Sequence, residues 1–237
     1  MNIRSTILGI FCLLILSCED KKSSTKTPTP AVRKETKTSN NKQAKEKQSP
    51  ERQHPVLDNN KAIAFFSEYE KKHKENKVRI TTDFGTIDIL LFNTTKYHRA
   101  NFIFLTKQKY FNDTQFYRVI DNFMIQAGNS DDRKTARKRK KIGKYLLPTD
   151  IKKGYKHDRG VISMPSSDID NPYKLASPFE FFIVQQHPGA YYLDGDYTIF
   201  GKVIRGMEVV DSIAAQKTDN ADWPLQNIYI RNVEIIE

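Results

Sequence analysis

A chain of 237 residues with a formal charge of +11 and two cysteines is already bounded in what it can be. Its length suits one large domain or two small ones, and both cysteines, Cys12 and Cys18, precede residue 19, which excludes disulfides, thiolate metal sites and a cysteine nucleophile from the rest. Residues 21–52 hold ten Lys or Arg against three Glu, so the positive balance belongs largely to a segment poor in large apolar residues rather than to a folded nucleic-acid surface.

The chain opens with Arg4 and an apolar run from Ile7 to Leu16, too short to span a bilayer as a helix and suited to a signal-peptide core. Ile15-Leu16-Ser17-Cys18 resembles a bacterial lipobox, which implies a lipoprotein signal over residues 1–18 and lipidation at Cys18. An ordinary secretory signal with an incidental Cys18 is the alternative, although no Ala-x-Ala-like site lies nearby. Lipidation implies a place in a bacterial cell envelope, anchored at the periplasmic face or outer membrane. Residues 19–57, interrupted by Pro28, Pro30 and Pro50, read as a disordered basic linker. Over 58–77, Asp58 is an N-cap candidate and Ala62, Phe65, Phe66 and Tyr69 recur at helical spacing, predicting an amphipathic helix.

Val78–Thr82 and Thr86–Phe92 alternate as strands about Asp83-Phe84-Gly85. Thr94 or Thr95 can cap a helix to about Lys107 that buries Ala100, Ile103 and Phe104. Phe116–Ile120 and Phe123–Ala127 are two β-rich runs meeting at a tight turn, Asp121-Asn122. Period two puts Met124 and Gln126 on one face of the second run. Arg118 sits among apolar neighbours in the first run, so its guanidinium must reach solvent or be held, with Gln126 as the nearest suitable partner. The basic stretch Asp131–His157 reads as a solvated loop, and without interleaved aromatics it gives no reason to expect nucleic acid. Gly160–Met164 is a strand that Pro165 ends; Phe179–Val184, Tyr192–Gly201, a short helix over Gly206–Ala215 and a strand over Ile228–Ile236 follow. The five histidines lack ligand spacing, and Asp168-Ile169-Asp170-Asn171 lacks the glycine and terminal glutamate of a calcium loop, so no metal is expected.

The run Phe116-Tyr117-Arg118-Val119-Ile120 leading into Phe123-Met124-Ile125-Gln126-Ala127-Gly128 closely resembles the signature of the cyclophilin-type peptidyl-prolyl isomerases. Gly160–Met164, Phe179–Ile183 and Leu193-Asp194-Gly195 through Phe200-Gly201 extend the resemblance over roughly residues 78–237. It implies a mainly β fold: a closed eight-stranded antiparallel barrel capped by two helices, with a cleft on its outer face, beside the N-terminal helix and tether. It further implies that Arg118 is catalytic and Gln126 orients it, with Phe123, Met124, Phe182 and Leu193 walling a proline pocket. Tyr197 stands where histidine is frequent, Tyr192 where many eukaryotic members carry tryptophan, and Glu180 where a glutamine helps bind the substrate backbone. Pro165 and Phe179 replace an alanine and a serine, and Asn101 is structural in the family pattern. The implied activity is rotation of X-Pro bonds in exported, proline-containing polypeptides, by a monomer without a cofactor. The alternatives are a proline-peptide binding module or chaperone on the same scaffold that does not turn its partner over, and a basic surface protein using residues 133–144.

Overall fold

The computed structural model describes residues 54–166 and 171–237; Cys18, the linker up to residue 53 and residues 168–170 of the calcium-like run lie outside the described residues. Strand β1 (Leu57–Asp58) leads into α1 (Asn59–Lys72), followed by β2 (Lys77–Thr82), β3 (Gly85–Leu91) and α2 (Lys96–Lys107). Next come β4 (Thr114–Ile120), β5 (Met124–Asn129), α3 (Arg133–Ile142) and β6 (Gly143–Lys144). Strands β7 (Val161–Met164), β8 (Phe181–Val184) and β9 (Thr198–Arg205), helix α4 (Met207–Ala214) and strand β10 (Ile228–Ile235) complete the chain. Eight strands close into a barrel in the order β10-β2-β3-β9-β7-β8-β5-β4, every neighbouring pair antiparallel. This is the cyclophilin-like barrel that the sequence resemblance implied.

Side chains alternate through the barrel wall, and that alternation makes two apolar regions rather than one. The inward set includes Val78 and Ile80 of β2, Ile87 and Ile89 of β3, Ile125 and Ala127 of β5, Phe181 and Ile183 of β8, and Phe200 of β9. Phe102 of α2 reaches the same core, stacking on Phe111 at 4.6 Å and meeting Phe181 edge-on at 5.5 Å. The outward set, Met124, Val161, Phe182, Val184 and Ile199, forms a second cluster with Ala190, against which Phe123, Leu193 and Tyr197 pack. Phe181 and Phe182 are thus neighbours in sequence on opposite sides of one sheet.

Helix α1 is fastened to the barrel domain. Asp58 caps it by accepting from the backbone N–H groups of Asn60 and Lys61 at 3.0 and 2.9 Å. Its buried face presents Phe65, Phe66 and Tyr69 around Phe104 of α2, with ring centroids 5.2, 5.8 and 5.5 Å away. Arg99 of α2 is buried and donates to the backbone carbonyls of His73 and Glu75 at 2.9 and 3.1 Å and to the Glu70 carboxylate at 3.4 Å. Its charge thereby satisfies the end of the preceding helix. At the start of α2, Thr95 occupies the cap position without a side-chain cap bond, and the Thr94 hydroxyl pairs with Tyr155 instead. Thr95 is thus the expected N-cap residue, without the side-chain bond of a cap.

Two expectations change. The linker does not extend to residue 57: His54 packs edge-on against Phe104 at 5.0 Å, Leu57 is buried, and β1 runs parallel to β6. Gly143 permits that pairing, since its φ is +137° and a Cβ there would lie 2.0 Å from the Leu57 carbonyl. The second change is α3, a helix where a solvated loop was expected, and one more than the helices counted from the sequence. Thr135, Lys138, Arg139 and Ile142 recur at helical spacing as its inward face. Lys138 donates to the carbonyls of Lys109 and Tyr110 at 3.2 and 3.3 Å and also to that of Asn112; Arg139 donates to the Tyr110 hydroxyl at 2.8 Å. Arg133, Lys134, Arg137, Lys140 and Lys141 face outward. Among the described residues no helix is long and apolar enough to cross a membrane.

His98 in α2 is fully buried, and neither ring nitrogen has a hydrogen-bond partner among the described residues. Burial lowers its pKa to about 3. Between that value and the ordinary histidine range the unfolded chain binds a proton that the folded chain refuses, so His98 favours folding above about pH 6.5 and this contribution is lost as pH falls toward 3. We expect His98→Leu to flatten the loss of stability between pH 7 and pH 4.5, measured as the urea midpoint across that range; an unchanged slope would remove His98 as the cause.

Candidate active site

The second apolar cluster floors a hollow on the outer barrel wall. Its volume is about 140 Å³, and Arg118, Phe123, Met124, Gln126, Pro165, Ser166, Phe182, Leu193 and Tyr197 line it. A cavity of this order holds one small apolar ring. Met124 and Phe182 are buried and come from paired strands, β5 and β8, with Gln126 opposite Phe182 in register. Tyr197 meets Phe182 edge-on, with centroids 5.8 Å apart and planes at 89°. Phe123 closes the β4–β5 turn, where Asn122 adopts φ +52°. Its carbonyl accepts from the N–H groups of Gln185 and Gln186 at 2.8 and 3.0 Å, tying the turn to the chain after β8. Pro165 ends β7 and adds to the wall.

Arg118 is the cation at the edge of this hollow. It lies opposite Gln126 in the β4–β5 ladder, beside a register shift between Phe116 and Arg118. No direct hydrogen bond joins the two side chains, which corrects the expected Arg118–Gln126 pairing. Arg118 Nε donates instead to Asp222 Oδ2 at 3.2 Å, both side chains being about two-fifths exposed. Gln126 gives its amide N–H to the Tyr117 hydroxyl. Asp222 belongs to the segment between α4 and β10. That segment is held by a bond from the Val119 N–H to the Asp222 carbonyl at 2.9 Å, and by Asp219, whose carboxylate accepts from the N–H groups of Ala221 and Trp223 at 2.8 and 2.9 Å. Asp222 itself takes φ +62°, which places its carboxylate beside the guanidinium in a backbone region that aspartate tolerates. The sequence signal for it was an Asp-rich turn, Asp219-Asn220-Ala221-Asp222, with nothing local to connect it to Arg118.

The floor has its own support. The buried His157 ring lies parallel to Phe182, centroids 6.1 Å apart. His157 pairs through its backbone N–H and Nδ1 with the Asp194 carboxylate at 2.8 and 2.9 Å. Burial lowers the His157 pKa, the Asp194 carboxylate opposing the effect only in part. Asp194 is next to Leu193, so the same pair also anchors the loop that carries that wall residue.

Two sequence-predicted substrate residues lie outside the hollow. Tyr192 is 65 % exposed; its hydroxyl donates to Gln186 at 3.3 Å and its ring tilts toward Phe123 at 5.7 Å. Glu180 forms an ion pair at 2.9 Å with Arg139 of α3, which accounts for its absence from the lining. The remaining expected residues, Arg118, Gln126, Phe123, Met124, Phe182, Leu193 and Tyr197, all meet around the one hollow. Asn101 is turned to structure, donating to the Pro178 carbonyl at 2.7 Å and accepting from the Tyr145 hydroxyl at 2.7 Å. Among the described residues no cluster of three His, Cys, Asp or Glu could hold a metal ion.

Because the Arg118–Asp222 pair is half-exposed, its loss should change stability by no more than about 1 kcal/mol. Asp222→Ala is expected to leave the thermal midpoint close to wild type while shifting the Arg118 Nε–H signal in a ¹⁵N NMR spectrum; an unmoved signal would show that the pair does not persist in solution.

Comparison with known proteins agrees with this geometry. The family model described as cyclophilin type peptidyl-prolyl cis-trans isomerase/CLD matches residues 77–235. A peptidyl-prolyl cis-trans isomerase-like 2 from Rhizopus delemar is 37% identical over 169 residues, which are 70% of this chain and 30% of that protein. A peptidyl-prolyl cis-trans isomerase-like 1 from Emericella nidulans is 32% identical over 68% of this chain and 94% of its own length. A peptidyl-prolyl cis-trans isomerase from Acinetobacter baylyi is 32% identical over 67% of this chain and 84% of its own. Among solved structures, a Cryptosporidium parvum cyclophilin type isomerase superposes with a TM-score of 0.57 at 29% identity, covering 69% of this chain and 98% of that one. The same protein crystallised in the presence of the dipeptide Ala-Pro gives 0.56 at 29% identity, over 68% and 99%. With a barrel, a hollow and a family match over the same residues, the chain belongs to the cyclophilin type peptidyl-prolyl cis-trans isomerase family.

Proposed function

We propose that the barrel accelerates rotation about X-Pro bonds, with Arg118 as the catalytic group. The observation that carries this reading is a cation at the edge of a hollow of proline-ring size, floored by Phe182 and Met124. An X-Pro bond rotates against roughly 18–20 kcal/mol of amide resonance, slowly enough that uncatalysed exchange takes tens to hundreds of seconds. Twisting the bond breaks that resonance and localises a lone pair on the prolyl nitrogen. A donor aimed at this nitrogen binds the twisted state better than either planar isomer, which is the condition for catalysis. Arginine suits the role because it is always charged and carries a planar fork of donors. Phe123, Met124, Phe182, Leu193 and Tyr197 would grip the ring and exclude water, strengthening the field at the nitrogen. Gln126 would supply a neighbouring polar group for the peptide. No covalent intermediate or proton transfer is required.

The Arg118–Asp222 contact raises a second outcome for the same hollow: were the carboxylate to take up the terminal donors as well as Nε, the barrel would hold proline peptides without turning them over. NMR exchange spectroscopy on an Ala-Pro peptide separates the two, because a binder saturates without speeding exchange. Catalysis predicts acceleration by the wild type and a loss of about 10²-fold or more in kcat/KM for Arg118→Ala, the usual scale for removing a transition-state donor, with an unchanged thermal midpoint. Turnover near wild type in Arg118→Ala would overturn the assignment.

We further propose that the chain is a lipoprotein of a bacterial cell envelope, anchored through Cys18, and that it serves exported proteins as a monomer. Supporting this are the short apolar run before Ser17-Cys18 and the Lys- and Pro-containing segment that follows. Metabolic labelling with a radioactive fatty acid is expected to mark the wild type and not Cys18→Ser; equal labelling of both would remove the anchor.

A further inference from the structure

Residues 54–237 hold 28 Lys or Arg against 23 Asp or Glu. Eight of those cations and none of those acids fall within residues 133–144, so the rest of that span is slightly acidic, at 20 against 23. The positive balance of the barrel domain therefore belongs to α3 and the short strand after it. Two of the eight cations are committed inward: Lys138 donates to backbone carbonyls, and Arg139 to the Tyr110 hydroxyl and the Glu180 carboxylate. The other six, Arg133, Lys134, Arg137, Lys140, Lys141 and Lys144, are exposed. None of them has a carboxylate partner among the described residues. At 3.6 residues per turn the first five fall within an arc of about 120°, on the side opposite Arg139 and Ile142.

This row works against its own helix. Arg133 with Arg137, and Arg137 with Lys141, are like charges one turn apart. The first turn, where the macrodipole favours anions, holds Arg133 and Lys134 and no acid. An anionic surface laid against the row would relieve that repulsion.

The neighbourhood of the row identifies its occupant. Strand β1 runs parallel to β6, with Leu57 beside Gly143 and Asp58 beside Lys144. Val56, just before β1, is 43 % exposed and lines one surface hollow together with Lys140 and Lys144. The chain thus enters the barrel domain against the end of the basic helix, and 35 residues separate that entry at His54 from Cys18. A tether raises the effective concentration of whatever surface it is fixed to, so a weak electrostatic contact suffices to set orientation. The row carries no aromatic side chain on which bases could stack, which favours lipid over single-stranded nucleic acid.

We propose that the outward face of α3, continued by Lys144, is a docking surface for anionic phospholipid headgroups, and that it turns this side of the barrel domain onto the bilayer. The proposal rests on the reading of the chain as a lipoprotein anchored through Cys18. Each lysine or arginine near an anionic leaflet adds to the attraction, which salt screens within a Debye length.

The test uses the full chain carrying Cys18→Ser, so that no acyl chain contributes, sedimented with vesicles of phosphatidylglycerol and phosphatidylcholine in equal parts or of phosphatidylcholine alone. Arg137→Gln, Lys140→Gln and Lys141→Gln together are expected to weaken binding to the anionic vesicles by roughly tenfold or more. Lys42→Gln, Lys45→Gln and Lys47→Gln together, which remove the same charge from the linker, should weaken it by less than about threefold. The α3 variant should keep the parent's thermal midpoint and its rate of Ala-Pro exchange. Equal losses in the two variants would overturn the proposal, because charge alone and not the face of α3 would then carry the binding. So would equal binding to the neutral vesicles, or binding to a DNA duplex with none to vesicles, which would make the partner a nucleic acid. Because Cys18→Ser removes the anchor from the measurement, a failure of fatty-acid labelling and a failure of docking by α3 are read separately.

Discussion

The site depends on the alternation of side chains through a closed barrel wall. Each strand that contributes to the hollow contributes to the core with the residue next door: Ile125 inward beside Met124 and Gln126 outward, Phe181 inward beside Phe182 outward. A one-residue slip in the β5–β8 ladder would exchange the two sets and remove both at once. Closure of the barrel prevents that slip, because β5 is held by β4 on one side and β8 on the other, and neither has a free edge. The position of the floor is therefore fixed by the largest source of stability in the molecule, the burial of the inner set. The hollow needs no loop to define its base.

That coupling explains what the sequence showed well. Period-two patterning revealed the β4–β5 hairpin and placed Met124 with Gln126, since strand geometry leaves no other option. Helical spacing of Ala62, Phe65, Phe66 and Tyr69 revealed α1, because its apolar stripe is continuous. Helix α3 was invisible to the same test. Its inward face is Thr135, Lys138, Arg139 and Ile142, at the right spacing, but two of the four are cations. Their aliphatic stems cover the barrel while their charged ends find carbonyls, a phenol and a carboxylate. Hydropathy cannot separate a lysine reaching three carbonyls from one in water. Likewise β1 is two residues long, and its pairing with Gly143 is a long-range fact that no local pattern encodes.

In the site itself, the residues that carry the family signature were legible and their polar partners were not. Arg118 was singled out by its place in the family signature, since its local chemistry alone suited an arginine facing solvent as well as one that is held. The partner inferred for it was the nearest in the ladder, which is reasonable when only local geometry is known. The structure supplies Asp222, about a hundred residues away in sequence. Gln126 in turn is bonded to Tyr117, a residue whose sequence position implied nothing beyond a strand. Departures from the family pattern proved more informative than agreements. Glu180 in place of glutamine reads from sequence as an altered peptide contact, whereas its carboxylate lies against Arg139.

An exposed arginine held by an exposed aspartate raises a question of competition. The pair is about two-fifths exposed on both sides, so in the free protein water screens it and little energy is stored in it. A peptide seated in the hollow would remove water from around the guanidinium and make every charge there count for more. Asp222 is bonded to Nε, which leaves the two terminal nitrogens of the fork without a carboxylate partner among the described residues. One carboxylate on Nε therefore does not disable the cation. On the proposed reading it would limit rotation of the guanidinium, so that the remaining donors keep their direction toward a rotating prolyl nitrogen. Such a partner lowers the entropy lost in aiming the fork without consuming the donors that the twisted bond requires.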